Sequence, residues 1–194
     1  MHISRNRSYP VVFRLYHDPV NDLYYPYLDL FLHFAYKFPM NEEDSSGSGI
    51  LKGVITEKMA KSEGIKKAEL FRNAYVNTRF GSLPVLEKMD SFLGAPLKPE
   101  AVFFRLINPD LGFGGVYLFF PDLFKELCER ERRPVLIIPA SVHELILIFL
   151  KDRIPKKDSR PFMREMNARL DPEEILSDHL YFYDPEDEKI NIWE

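Results

Sequence analysis

The stretch Pro134–Leu150, PVLIIPASVHELILIFL, carries the strongest signal about the fold. It holds two short apolar runs with a polar corner, Ser141-Val142-His143-Glu144, between them. Short apolar runs rich in β-branched residues predict buried strands, and a polar break between two such runs predicts a tight turn. We therefore expect two core strands, Pro134–Ile138 and Leu145–Leu150, that run antiparallel on either side of this corner.

Outward from this pair, further strands and helices follow one another along the chain. Strands are expected within Tyr9–Tyr16, Tyr27–Phe38, Ala101–Ile107, Leu180–Tyr183 and Ile190–Trp193, and helices over Glu57–Glu63, Lys66–Phe80, Pro121–Arg130 and Phe162–Leu170. The glycine-rich segment Gly112–Gly115 is expected to turn the chain into a hairpin, with Gly115–Phe119 as the second strand. The pattern predicts an α+β fold with mixed, largely antiparallel sheets and three to five helices packed on one side.

The length and composition predict one domain. A chain of 194 residues with 45% hydrophobic residues can build its own core. We expect a single domain over 1–194, which a connection near Gly94 could divide into lobes 1–93 and 94–194. The loop Asn41–Gly49, NEEDSSGSG, should be flexible, because acidic and small polar residues bury no apolar surface.

The composition also limits which cellular compartment and which kinds of partner we expect for this protein. Cys128 is the single cysteine, so the fold rests on packing without an internal disulfide, which suits the cytoplasm. Neither Met1–Pro10 nor Pro134–Leu150 has the unbroken apolar character of a signal peptide or a membrane span. The net charge of −4 gives no general attraction to nucleic acid. The basic connector Lys151–Arg160 is the best patch for a phosphate-bearing partner, although acids interrupt it.

Two short clusters are candidates for chemistry: Ser141, His143 and Glu144 at the corner, and Asp178 and His179 before a late strand. In one interpretation, His143 is a general base assisted by Ser141 or Glu144, and Asp178 orients one of the two imidazoles. In the other, which we favour, these residues finish the ends of secondary-structure elements, where such side chains often bond backbone groups.

No motif for a cofactor or metal is complete. The five histidines are scattered and none has the H-E-x-x-H spacing of a zinc site. The glycines of Gly112–Gly115 do not have dinucleotide-loop spacing. Cys128 falls on the apolar face of its expected helix, which is typical of a small buried hydrophobe. We therefore expect neither a cofactor nor a metal.

The chain resembles bacterial proteins of domain-of-unknown-function family 5688. The most specific parts are the I-P-x-S-x-H-E motif within Pro134–Leu150 and the L-S-D-H-x-Y motif within Met166–Asp184. Three further segments carry the resemblance: TEKMAKSEGIKKAELFRNAYVNT from Thr56, AVFFRLINPDLGFGGVYLFFPDLF from Ala101 and YPVVFRLYHDP from Tyr9. The loop Asn41–Gly49 and the connector Lys151–Arg160 depart from the family pattern by being unusually polar. The resemblance implies a bacterial cytoplasmic α+β domain and supplies no reaction.

These observations favour a non-enzymatic binding or adaptor domain with another protein as its partner. The segment with Tyr24, Tyr25 and Tyr27 offers aromatic side chains of the kind enriched at protein interfaces. The alternative is a small hydrolase-like or metal-dependent enzyme that uses His143 and Glu144 together with Asp178 and His179. A second alternative is a nucleic-acid-associated protein that binds through residues 151–160.

Overall fold

The structure is a computed structural model that describes residues 10–37, 53–81, 83–92, 95–96, 102–150 and 158–193. The strands are β1 Val11–Tyr16, β2 Tyr24–Tyr27, β3 Leu30–Tyr36, β4 Val85–Lys88, β5 Ser91–Phe92, β6 Ala95–Pro96, β7 Val102–Ile107, β8 Val135–Ser141, β9 Glu144–Phe149, β10 Leu180–Asp184 and β11 Lys189–Trp193. The helices are α1 Glu57–Glu63, α2 Lys67–Arg79, α3 Pro121–Glu131 and α4 Arg160–Asn167, with 3₁₀ turns at Gly114–Phe119 and Pro172–Glu174.

The strands form antiparallel sheets. A six-stranded sheet has the order β11-β10-β8-β9-β7-β4, and a three-stranded sheet has the order β1-β3-β2. Strands β5 and β6 form a small two-stranded ribbon. The predicted α+β class with antiparallel sheets is confirmed, and so is the central β8–β9 pair with its corner.

The six-stranded sheet is covered on both faces, which explains why its central strands are apolar throughout. Every residue of β8 is buried. Val135 and Ile137 face the main core, which includes Phe124 of α3, whereas Leu136 faces a second cluster that includes Met163 of α4. A strand with two buried faces shows a continuous apolar run instead of alternation. The helices therefore pack on both sides of this sheet and not on one side.

Helix α2 lies across the three-stranded sheet and reaches both of its edges. At its first residue, Lys67 Nζ donates a hydrogen bond to the Tyr24 carbonyl of β2 (2.8 Å). Near its last turn, Thr78 Oγ1 accepts a hydrogen bond from the Phe13 amide of β1 (2.8 Å), and Asn77 Nδ2 donates to the Val11 carbonyl (2.8 Å). Side chains of α2 thus satisfy backbone groups of the two edge strands, β1 and β2.

The predicted hairpin at Gly112–Phe119 is wrong, because Gly114–Phe119 forms a 3₁₀ turn and β7 pairs instead with β4 and β9. The Gly114 amide donates to the His143 carbonyl (2.8 Å) at the β8–β9 corner. A Cβ atom on Gly114 would lie 2.5 Å from that carbonyl oxygen. The glycine therefore permits a close approach to the corner rather than a strand reversal.

The main core contains buried residues from both predicted lobes, from Val11 in β1 to Ile190 in β11. The division into lobes 1–93 and 94–194 stays a prediction, as does the single domain. The loop Asn41–Gly49 and residues 151–157 of the basic connector lie outside the described residues. In the part of the chain that the structure describes, no helix is long and apolar enough to cross a membrane.

Candidate functional site

The outer face of the three-stranded sheet carries a row of polar and aromatic side chains. Val11, Phe13 and Leu15 of β1 point into the main core, so Arg14 and Tyr16 point to the opposite face. In the sheet register, His33 of β3 lies opposite Arg14 on one side and opposite Tyr24 of β2 on the other. We call Arg14, Tyr16, Tyr24 and His33, together with the overlying Phe113, the Arg14 face.

The Arg14 guanidinium is held by aromatic rings. Its Cζ atom lies 3.9 Å from the centroid of the Phe113 ring and 4.5 Å from that of Tyr16. Each such contact contributes about 0.5–2 kcal/mol, depending on how far water is excluded. Among the described residues, Arg14 has no hydrogen-bond or ion-pair partner, and its Nε atom is buried.

Partial burial changes the pKa of the Arg14 guanidinium. It lowers the pKa of this side chain below the ordinary arginine value, while the nearby Tyr16 and Glu173 have the opposite, smaller effect. Arginine nevertheless stays protonated in proteins and can only donate hydrogen bonds. The Arg14 face therefore holds a positive charge in a fixed orientation, without a described anionic group bonded to it.

His33 adds a second buried donor beside Arg14. The ring is fully buried, and its Nε2 atom accepts a hydrogen bond from the Val20 amide (3.3 Å). The proton of the neutral ring therefore lies on Nδ1, which is buried and has no partner among the described residues. Burial lowers the pKa of His33 to about 4, which outweighs the opposing effect of the Leu23 backbone, so the ring is neutral at neutral pH.

The β8–β9 corner lies next to the Arg14 face through Phe113. The His143 ring stacks on Phe113 (centroids 5.4 Å apart), and its Nδ1 atom lies 2.5 Å from the Gly112 carbonyl oxygen. Its Nε2 atom lies 3.6 Å from Oε1 of Glu174. Ser141 Oγ accepts a hydrogen bond from the His143 amide (3.1 Å). The side chain of Ser141 therefore stabilises the turn.

Asp29 forms a second polar cluster at the turn between β2 and β3. Its Oδ2 atom accepts hydrogen bonds from Ser177 Oγ (2.7 Å) and from His179 Nδ1 (3.1 Å). Its Oδ1 atom accepts one from the Tyr181 hydroxyl (2.6 Å). Burial alone would raise the pKa of Asp29, but these hydrogen bonds together lower it below the ordinary value. Asp29 is therefore an ionised carboxylate that links the two large sheets.

The sequence did not indicate Asp29 as a partner of His179, because the two residues are 150 positions apart. Asp178 instead accepts a hydrogen bond from Asn167 Nδ2 (2.8 Å). Glu144 forms an ion pair with Arg105 (3.3 Å). A signal for Asp29 was present: an acid at the start of the apolar run Tyr27–Phe38 belongs either in a turn or beside a partner.

The two predicted histidines have different carboxylate neighbours, Glu174 for His143 and Asp29 for His179. A joint site of Ser141, His143, Glu144, Asp178 and His179 stays a prediction. His179 also lines a cleft of about 210 Å³ with Asp158, Ser159 and Arg160. Within the described residues, no group of three or more His, Cys, Asp and Glu side chains is arranged to hold a metal ion.

Of the three tyrosines expected at an interface, Tyr24 lies on the Arg14 face. Its ring contacts Phe31 (centroids 5.0 Å apart) and His33 (5.6 Å). Tyr25 and Tyr27 instead pack against the main core. The Arg14 face is thus the surface where the predicted aromatic character and an unpaired charge coincide.

Comparison with known proteins gives one result. A search of the curated proteins and of the solved structures finds no match to this chain. One family model, described as a family of unknown function, matches residues 21–185 of the 194. Because this match spans most of the sequence, the chain belongs to the family of unknown function DUF5688.

Proposed function

We propose that this protein is a non-enzymatic cytoplasmic binding domain that holds an acidic group of a protein partner on its Arg14 face. The observation that carries the proposal is the Arg14 guanidinium, which lies against two aromatic rings and has no hydrogen-bond or ion-pair partner among the described residues. The single buried cysteine, Cys128, fits a reducing compartment.

An unpaired, partly buried cation is costly, and a folded chain usually pairs such a group. Glu173 lies close enough to influence Arg14 electrostatically, yet the two form no ion pair. A carboxylate from another molecule would complete the hydrogen bonds in the two-pronged geometry that guanidinium and carboxylate groups share. The stacked rings fix the guanidinium in advance, so less side-chain entropy is lost on binding.

The surroundings of Arg14 also match the composition of binding hot spots. Arginine and tyrosine are the residues that most often dominate the energy of protein interfaces. Here Arg14, Tyr16 and Tyr24 occur on one sheet face, and all three are half-buried, with part of each side chain still open to solvent. An acidic peptide segment can contact these aromatic surfaces while its carboxylate meets Arg14.

The test is selection from a random peptide library displayed on phage, with three immobilised proteins: the wild type, Arg14→Leu and Arg105→Leu. We expect the wild type and Arg105→Leu to enrich peptides with a shared acidic residue. Arg14→Leu should lose this enrichment, and isolated peptides should bind it at least about tenfold more weakly, as expected for loss of a charge-assisted hydrogen bond.

The matched control is the Arg105→Leu variant. Arg105 lies in the same Phe-Arg-Leu sequence context, and its substitution removes the same charge. Enrichment of peptides without acidic residues, or equal loss of binding in both variants, would reject the proposal. If both variants bind peptides at low salt and lose this binding at high salt, the attraction is a general electrostatic one and not a specific site.

A hydrolase is the second candidate function, and the Asp29–His179 pair favours it. Since the ionised Asp29 can only accept, His179 donates from Nδ1, and the carboxylate thereby orients the imidazole as in many hydrolases. His179 and Ser159 line the same cleft, a combination found in serine hydrolases. A fluorophosphonate probe should then modify Ser159, and His179→Gln should abolish the adduct. An unmodified wild-type protein, analysed by mass spectrometry, excludes this candidate.

A further inference from the structure

A second cleft, which shares no residue with the Arg14 face, lies between the end of α3 and the β10–β11 hairpin. Its volume is about 400 Å³, within the range of small-molecule sites. It is lined by Lys125, Cys128, Glu129, Arg132, Arg133, Pro134, Tyr183, Pro185 and Glu188. Neither the sequence motifs nor the family description assigns a role to this cleft.

One part of the cleft lining is apolar and uncharged. Cys128 and Tyr183 are both buried, with 7% and 1% of their surfaces exposed. Burial raises the pKa of the Cys128 thiol and that of the Tyr183 hydroxyl to about 12, so both groups keep their protons at neutral pH. With Pro134 and Pro185, they offer a surface that suits the apolar body of a ligand.

Arg132 and Arg133 add positive charge to the lining. Among the described residues, neither side chain has a hydrogen-bond or ion-pair partner. Lys125, in contrast, forms an ion pair with Glu188. The cleft is therefore lined by two arginines that form no ion pair among the described residues, next to an apolar surface, and the acids Glu129 and Glu188 also belong to its lining.

The backbone at this cleft is strained. Arg132 and Glu188 have φ values of 55° and 54°, in the left-handed region that glycine adopts far more readily. Leu28 is the third residue other than glycine with this conformation in the part of the chain described here. Arg132 follows the last residue of α3, a position where glycine is the usual choice. An arginine there gives up stability, and its side chain lines the cleft.

We propose that this cleft binds a small organic anion with an apolar body, such as an aromatic carboxylate. The anionic group would lie between the guanidinium groups of Arg132 and Arg133, and the body would lie against Cys128 and Tyr183. A glycine at position 132 would relieve the backbone strain, but it would also remove the positive charge that Arg132 contributes to the cleft.

The test is a titration of ¹⁵N-labelled protein with benzoate, compared with benzyl alcohol and benzylamine, which share the ring and differ in charge. We expect benzoate to cause saturable shifts of the Cys128 and Tyr183 amide signals. Its dissociation constant should be at least tenfold lower than that of benzyl alcohol, the neutral probe, and that of benzylamine, the cationic probe. Inorganic phosphate tests charge without an apolar body and should bind more weakly than benzoate.

Three variants separate binding from folding. Arg132→Gly should raise the melting temperature by about 2–4 °C, because it relieves strain, and should weaken benzoate binding at least tenfold. Arg133→Gln should weaken binding similarly. Arg130→Gln removes the same charge from an arginine that is already paired with Glu131, and should bind as the wild type does. Equal shifts with benzoate and benzylamine, phosphate binding as tight as benzoate, or full binding by Arg132→Gly would each overturn the proposal.

Discussion

Arg14 lies on β1 of the three-stranded sheet and Asp29 lies in the turn that joins β2 to β3 of the same sheet, and both are charged groups that are partly buried. Asp29 accepts hydrogen bonds from Ser177, His179 and Tyr181, so folding itself supplies every partner that its carboxylate needs. Arg14 contacts two aromatic rings and has no hydrogen-bond acceptor in the part of the chain that the structure describes. The first ion has all its partners within the fold, whereas the second has none among the described residues, which is the basis of our proposal that an acidic ligand binds it.

A second arginine sharpens this contrast, because its local sequence is the same. Phe104-Arg105-Leu106 repeats Phe13-Arg14-Leu15, and both segments are strands. Arg105 forms ion pairs with Glu87 (2.6 Å) and Glu144 (3.3 Å). The hydrogen bond to Glu87 is the main cause that raises its pKa. The neighbouring strands, and not the local sequence, decide whether an arginine in this position is paired.

The largest effect is expected for Asp29→Ala, which should lower the free energy of unfolding by about 3 kcal/mol or more. The substitution leaves the donors of Ser177, His179 and Tyr181 without their acceptor. Urea denaturation measures the change. Asp171→Ala, which removes an exposed acid, is the control and should stay within about 0.5 kcal/mol of the wild type. A loss below 1 kcal/mol at Asp29 would contradict a structural role for this carboxylate.

A somewhat smaller effect is expected from the pH dependence that His33 confers. The folded pKa of about 4 lies below the unfolded value of 6.5, so the unfolded chain takes up the proton first as the pH falls. Stability is fully present above pH 6.5 and is lost between 6.5 and 4. From pH 7.5 to pH 5 the loss due to His33 should be about 2 kcal/mol.

The comparison with His33→Phe isolates this contribution, because every other titratable side chain is present in both proteins. The variant should show a flatter stability profile between pH 7.5 and pH 5. Parallel profiles for the two proteins would mean that His33 takes up its proton in the folded state as readily as in the unfolded one.

Arg105→Leu should cost about 1 kcal/mol or less, because exposed ion pairs contribute little to stability. Thermal unfolding at low and high salt measures this change, and the difference from the wild type should shrink as salt screens the charges. A loss of 3 kcal/mol would show that the Glu87–Arg105–Glu144 network is more important for the fold than its exposure indicates.

The smallest effect on stability is expected for Arg14→Leu, near zero, because relief from an unpaired, partly buried charge offsets the loss of its attraction to the Phe113 and Tyr16 rings. Denaturation in urea tests this directly. A loss greater than about 2 kcal/mol would mean that Arg14 stabilises the fold, and the contrast with Asp29 would disappear.

The sequence predicted those parts of the fold that depend on local patterns. The β8–β9 pair was readable because its apolar runs and polar corner are adjacent in the chain. The Asp29 cluster was not, because its members meet only when the β2–β3 turn reaches β10. Gly114 was misread for a related reason: local sequence does not show whether a glycine permits a turn or, as here, the close approach of a distant carbonyl.

Helix α2 has a consequence for how any partner can approach. Many domains capture an extended peptide by adding it as a further strand to the open edge of a sheet. In the three-stranded sheet, Thr78 and Asn77 already occupy the outward Phe13 amide and Val11 carbonyl of β1. On β2, Lys67 holds the Tyr24 carbonyl, and Pro26 has no amide hydrogen to offer. An added strand would have to displace these hydrogen bonds, so we expect a ligand of this sheet to be recognised by side chains.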